Sequence, residues 1–222
     1  AADDRRGAIS AQNRTMALTI ALAAPFFVVF MIIPQEIISG VFQRGAFDAK
    51  AAFEAAAVLN AYGTGLLAVV LIRSAVASFQ ARGDTMTPMK ISLFAVACNV
   101  VIKLFLYTPL GAPGLAIATA VGAWVNFGLL VFLAMRKGDM AFDQTTGKVA
   151  AAVAGASLAL FIALLTVSWY GSSLMNGIGR YQNEIRLLGL GLLSAAIYFP
   201  ILTALLYVLG MRPKSLLPRG GT

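Results

Sequence analysis

The chain has 222 residues, 59% hydrophobic and 12% charged, with a mean hydropathy of +0.84; an ordinary soluble domain is about 45–50% apolar and about 25% charged. That balance excludes a typical soluble globular protein and accommodates six membrane-length stretches of about 20 residues each, joined by short connections. With no histidine and a single cysteine, Cys98, internal disulfides, CxxC redox pairs, His/Cys zinc sites and histidine-based acids or triads are excluded.

The formal charge is +8, from 17 Lys and Arg against 9 Asp and Glu. In a multi-span protein, basic residues gather in cytoplasmic loops and at helix ends near anionic headgroups, so the excess reads as membrane anchoring and not as nucleic-acid binding. The opening Ala1-Ala2-Asp3-Asp4 carries no initiator methionine and no basic-then-apolar leader, so a signal peptide is not expected and a piece of a longer chain is.

Residues 1–14 read as a juxtamembrane segment, and the first span lies between Arg14 and Glu36. Pro25 and Pro34 make it a kinked or broken helix whose freed backbone groups neighbouring helices must satisfy. Asp48 is placed to N-cap a helix from Ala49 that continues to about Gln80, long enough to tilt. After the turn at residues 81–88, Thr87 as N-cap and Pro88 at the first helical position open a third span, to about Tyr107. Pro109, Gly111, Pro113 and Gly114 make an uncharged turn into a fourth span ending near Met135. Residues 15–137 thus hold four spans. A polar loop at 138–148 follows, and 149–222 hold two more spans and a short tail, with Trp169 and Tyr170 at an interface position. The expected fold is an all-α polytopic membrane bundle of six transmembrane helices.

Six spans put both ends on one side. Eleven basic residues fall there, among them Arg14, Arg82, Arg136, Lys137 and Lys148, against Arg44, Lys50, Arg180 and Arg186 on the other. Both ends are therefore expected to be cytoplasmic. Arg73 and Lys103 remain, inside spans two and three, where a basic residue costs about 2.5–3.5 kcal/mol at the bilayer centre.

Arg73 is within snorkelling reach of the cytoplasmic face, and Asn60, Thr64, Ser74 and Ser78 form a polar stripe on another side of span two, suited to a hydrated cavity or an interhelical seam. On span three, Ser92, Asn99 and Lys103 share a narrow face. Leu115, Thr119, Gly122 and Asn126 make a matching face on span four, its antiparallel neighbour. Two readings stand for Lys103: a polar cluster with Asn99 and Thr119, or snorkelling to the outer interface. Spans five and six carry no ionisable residue in their apolar stretches. Small residues at Gly147, Ala151, Gly155 and Ala159, and at Gly189, Gly191, Ser194 and Ala195, fit close helix packing or an apolar groove for a lipid chain.

Four segments occur in one order with tight spacing: Arg44-Gly45-Ala46-Phe47-Asp48, Tyr62-Gly63-Thr64-Gly65-Leu66, Phe79-Gln80-Ala81-Arg82-Gly83-Asp84-Thr85-Met86-Thr87-Pro88, and Gly114-Leu115-Ala116-Ile117-Ala118-Thr119. Together they resemble the carboxy-terminal part of the MurJ/MviN family, the lipid II flippases of the MOP transporter superfamily, most strongly from Arg44 to about Asn126. The resemblance implies a fourteen-helix protein with two lobes around a cavity. It would flip an undecaprenyl-pyrophosphate-linked precursor across the bacterial inner membrane by alternating access, without a cofactor. This chain would supply helices nine to fourteen, residues 15–137 forming part of the second lobe. The missing amino-terminal portion, lipid II and membrane lipids would be its partners, and the family's substrate arginines would lie upstream of Ala1.

The resemblance also implies a hydrophobic groove for the lipid tail between spans five and six, here at Ala151, Gly155, Ala159, Gly191, Ser194 and Tyr198. Some members bind sodium at positions matching Asn99, Lys103, Leu115 and Thr119. The family's aspartate is replaced here by Lys103, so no metal is expected, and Lys103 should pair with Asn99 and Thr119 or with an acid on the missing seventh helix. A drug or polysaccharide exporter of the same superfamily, or a membrane scaffold, is the alternative; an intramembrane enzyme lacks its residues.

Overall fold

The computed structural model describes residues 2–138, 140, 144–170 and 182–211, so the tail at 212–222 and Arg180 in the last connection lie outside the described residues. The described residues form seven helices: α1 (Ala2–Ile32), α2 (Pro34–Phe42), α3 (Ala49–Gly63), α4 (Leu66–Gln80), α5 (Met86–Arg136), α6 (Gln144–Tyr170) and α7 (Gln182–Val208). Five helical stretches among them are long and apolar enough to cross a membrane: Ile9–Ile32, Ala49–Gln80, Met86–Arg136, Gln144–Trp169 and Gln182–Val208. The third has 51 residues, about 77 Å of rise, against a hydrocarbon core of about 30 Å. It breaks at Gly111 (φ 58, ψ −135), a backbone conformation open to glycine, with Pro109 and Pro113 removing donors on either side. Its two arms, 86–110 and 112–136, fold back on each other. The five stretches therefore amount to six crossings.

Helix α1 begins at Ala2, so the expected juxtamembrane segment is the first part of the helix itself. Pro25 sits inside it and cannot donate to the carbonyl of Ala21, its i−4 partner. That acceptor is filled from α7, where the buried Tyr198 hydroxyl donates to the Ala21 carbonyl at 2.8 Å. At the far end the helix stops at Ile33 (φ −124, ψ 41) and α2 starts on Pro34. Pro34 likewise leaves the Phe30 carbonyl without its helical donor. Asn60 of α3 supplies the replacement, its Nδ2 donating to Phe30 at 3.3 Å and Met31 at 3.0 Å. The requirement read from the two prolines is met by two different helices.

Asp48 caps α3 as its position predicts, its carboxylate accepting from the Ala51 amide at 2.8 Å. Span two is not one helix, however. A tighter turn at Thr64–Gly65 separates α3 from α4, with Gly65 N–H bonded to the Tyr62 carbonyl, and Gly65 packs directly on Ala120 of α5: a β-carbon there would lie 2.7 Å from the Ala120 Cα. The start of α5 is also shifted. Its N-cap is Thr85, not Thr87, and Asp84 provides the capping carboxylate, accepting from both the backbone N–H and the hydroxyl of Thr87 at 3.0 and 2.7 Å. An aspartate three residues ahead of an unpaired amide is a better acceptor than the threonine hydroxyl.

Helix α1 is the shared element. Its small residues Ala17, Ala21 and Ala24 meet Val149, Ala152, Ala156 and Leu160 of α6 and Tyr198, Leu202 and Leu206 of α7 in one core, where small side chains let backbones approach. Met16 joins Leu71, Ala75 and Phe79 of α4 and Leu130 and Ala134 of α5 in a second. On the end where α2 lies, Gly40 packs on Leu187, and two ion pairs tie α2 and the turn after it to α7: Glu36 with Arg186 at 3.3 Å and Arg44 with Glu184 at 2.9 Å.

Candidate functional site

The polar faces predicted for spans three and four meet in the hairpin of α5. Asn99 Nδ2 donates to the Ala118 carbonyl at 3.2 Å and Asn126 Nδ2 to Ser92 Oγ at 3.3 Å, while Gly122 leaves room for the Asn99 side chain, which a β-carbon would approach to 2.8 Å. Thr119 bonds back to the Leu115 carbonyl at 2.9 Å. Lys103 is half-buried beside this seam, but the expected pairing with Asn99 and Thr119 is not made. Asn99 and Thr119 donate instead to backbone carbonyls of the hairpin, and no hydrogen bond or ion pair reaches Lys103 among the described residues. As a cation site the group does not fit with Lys103 in place: its one ionisable member is an ammonium, which repels a metal ion.

The stripe expected on span two is shared between two cavities, one on each side of the turn at Thr64–Gly65. Asn60 and Thr64 line a cavity of about 460 Å³ with Gln35, Phe53, Pro113 and Ile117. Thr64 Oγ1 donates to the Ala61 carbonyl at 2.7 Å and the Thr64 carbonyl accepts from Trp124 Nε1 at 2.9 Å. Arg73 and Ser74 line a different cavity of about 560 Å³ with Thr15 and Thr19 of α1. Ser78 is buried and bonds to the Ala75 carbonyl, so it lines neither.

The residues expected to form a lipid groove separate into two sets. Tyr198 and Ser194 are buried, Tyr198 on the Ala21 carbonyl and Ser194 on that of Leu190, and they belong to the core instead of an open groove. Ala151 and Gly191 are exposed, Ala159 is half-buried, and Gly155 packs on Leu205. The role of Tyr198 in completing α1 has a sequence signal: Pro25 marks Ala21 as an acceptor in need of a donor, without marking which donor.

At the basic end, Asp84 gathers Thr87 and Lys137, the latter at 2.7 Å with its ammonium also 5.7 Å from the Phe79 ring centre. The hydrogen bond from Lys137, followed by those from Thr87, holds the Asp84 carboxyl well below the usual carboxylate range. This cluster closes the α4–α5 turn onto the end of α5.

The family model of the lipid II flippase MurJ matches residues 1–204. A probable lipid II flippase MurJ of Rhizobium meliloti is 32% identical over 198 residues, which cover 87% of this chain and 36% of that protein. One from Vibrio cholerae is 29% identical over 88% of this chain and 36% of its own length. A solved structure titled lipid II flippase MurJ, inward closed conformation, is similar in fold with a TM-score of 0.75 at 20% identity, covering 93% of this chain and 41% of that one. The chain belongs to the lipid II flippase MurJ family. It spans about a third of the length of these curated relatives.

Proposed function

We propose that this chain supplies helices nine to fourteen of a fourteen-helix lipid II flippase. The complete protein moves an undecaprenyl-pyrophosphate-linked peptidoglycan precursor from the cytoplasmic to the periplasmic leaflet of the bacterial inner membrane by alternating access. The match of the family model over residues 1–204 carries this reading. The excess of basic residues at the end holding Arg82, Arg136 and Lys137 supports a cytoplasmic location for that end. The pyrophosphate-binding arginines belong to the portion encoded ahead of Ala1.

In this reading Lys103 of the α5 hairpin stands at the position where the family resemblance places a cation. The lipid tail lies along the α6–α7 pair at Ala151, Gly155, Ala159 and Gly191, the side not taken up by the core with α1. Complementation of a flippase-depleted strain tests it. The complete gene restores growth and cell shape; residues 1–222 alone do not, because they lack the partner lobe and two helices of their own lobe, and polar faces of the bundle would meet lipid instead of a hydrated cavity. Failure of the complete gene to rescue, with the protein present in the membrane, overturns the assignment.

A further inference from the structure

Two cavities adjoin along the line where α1 and α4 pack. One, of about 560 Å³, presents Thr15, Thr19, Arg73 and Ser74; the other, of about 440 Å³, presents Leu22, Phe26, Phe30 and Leu66. Thr19 and Val70 belong to both, so they form one groove, hydroxylic and cationic at one end and apolar at the other. Residue numbers rise along α1 as they fall along α4, which makes the helices antiparallel and puts the polar end nearer Arg14 and Arg82.

The polar end is unsatisfied within the chain. Arg73 is exposed, and no hydrogen bond or ion pair reaches its guanidinium among the described residues. The hydroxyls of Thr19 and Ser74 are also without partners there, whereas Thr15, Thr64, Ser78, Thr119 and Ser194 all bond back to a carbonyl of the preceding turn. A guanidinium with two open hydroxyls beside it matches a phosphate, which accepts forked donors. A free phosphate would leave the apolar half of the groove unused.

We propose that this groove binds one anionic phospholipid of the adjacent leaflet, its phosphate on Arg73, Ser74 and Thr19 and one acyl chain along Leu22, Phe26, Phe30 and Leu66. Arg73 lies seven residues before the end of α4 at Gln80, about 10 Å of rise, within reach of the headgroup level by snorkelling. From there the apolar half runs toward the opposite end of the helices, the direction a lipid of that leaflet gives its acyl chains. The charge and the direction of the groove select the same occupant.

The test uses the complete protein, purified in detergent and titrated with phosphatidylglycerol or with phosphatidylcholine of the same acyl chains, with bound lipid counted by native mass spectrometry. Phosphatidylglycerol should be retained in preference to phosphatidylcholine. Arg73→Gln should weaken that retention about tenfold, the worth of one charge-assisted contact, and Arg73→Lys should keep most of it. Leu22→Trp, at a position 51% exposed, fills the apolar half without touching the charge and should also weaken retention; it carries the test if Arg73→Gln does not fold. Equal retention of the two lipids overturns the proposal. So does phosphatidylglycerol binding indifferent to both variants, the result expected if a helix from the rest of the protein covers the groove. Lipid counting reads no transport, so its failure leaves the flippase assignment standing, and the reverse holds too.

Discussion

The Tyr198 hydroxyl donates to the Ala21 carbonyl at 2.8 Å, across 177 residues of chain, and the carbonyl it reaches is the one that Pro25 leaves without a helical donor. Removing the hydroxyl in Tyr198→Phe strands a buried acceptor and should cost about 1–3 kcal/mol, read as a lower midpoint of thermal unfolding in detergent. In a Pro25→Ala background the helix regains its own N–H, and the same substitution should cost much less. An equal cost in both backgrounds would show that the hydroxyl acts in some other way.

Asn60 plays the corresponding part at the end of α1. Asn60→Leu releases the carbonyls of Phe30 and Met31 together, so amide exchange should accelerate around the α1–α2 junction while the distant α5 hairpin stays protected. A uniform acceleration throughout would indicate global loosening instead of a local cap.

Gly63 and Gly65 make a matched pair of tests. A β-carbon at Gly63 meets chiefly Met31 Cε, the end of a flexible side chain, whereas at Gly65 it meets the Ala120 backbone at 2.7 Å. Gly65→Ala should therefore be the more destabilising, by about 1–3 kcal/mol as an overpacking change. The reverse order of melting temperatures would contradict the packing account.

The Asp84 carboxyl is depressed in the folded protein by Lys137 and Thr87. A depressed acid contributes stability that is present above its unfolded value, about 3.9, and is lost as pH falls through the lower folded value. The melting temperature should thus decline below about pH 4, and Asp84→Asn should flatten that part of the profile. An unchanged slope in the variant would assign the acid sensitivity elsewhere.

If Lys103 stands in place of a cation, sodium should leave the stability of the complete protein unchanged. Lys103→Asp, beside Asn99, Thr119 and the Leu115 carbonyl, should then introduce sodium-dependent stabilisation, measured as a melting shift against potassium. Sodium stabilisation of the unsubstituted protein would overturn this role.

Much of this molecule is local and was legible from residue order. The spans follow from apolar length, the α5 turn from Gly111 between two prolines, the α3 start from Asp48, and the meeting of Ser92 and Asn99 with the opposite arm from helical spacing across a short turn. Each of these depends on neighbours in the chain or on a connection too short to allow another arrangement.

Other features depend on which surfaces meet. Proline announces a missing donor at a known place, but the replacement came from α7 in one case and α3 in the other. Helical phase carried the stripe from Asn60 to Ser78 straight on, but packing put Asn60 and Thr64 on one cavity, Ser74 on another and Ser78 in the interior. Tyr198 and Ser194 looked like lining for a lipid groove and lie in the core, because α1 occupies that side of the α6–α7 pair. Periodicity says which residues share a face; only packing decides what the face is pressed against.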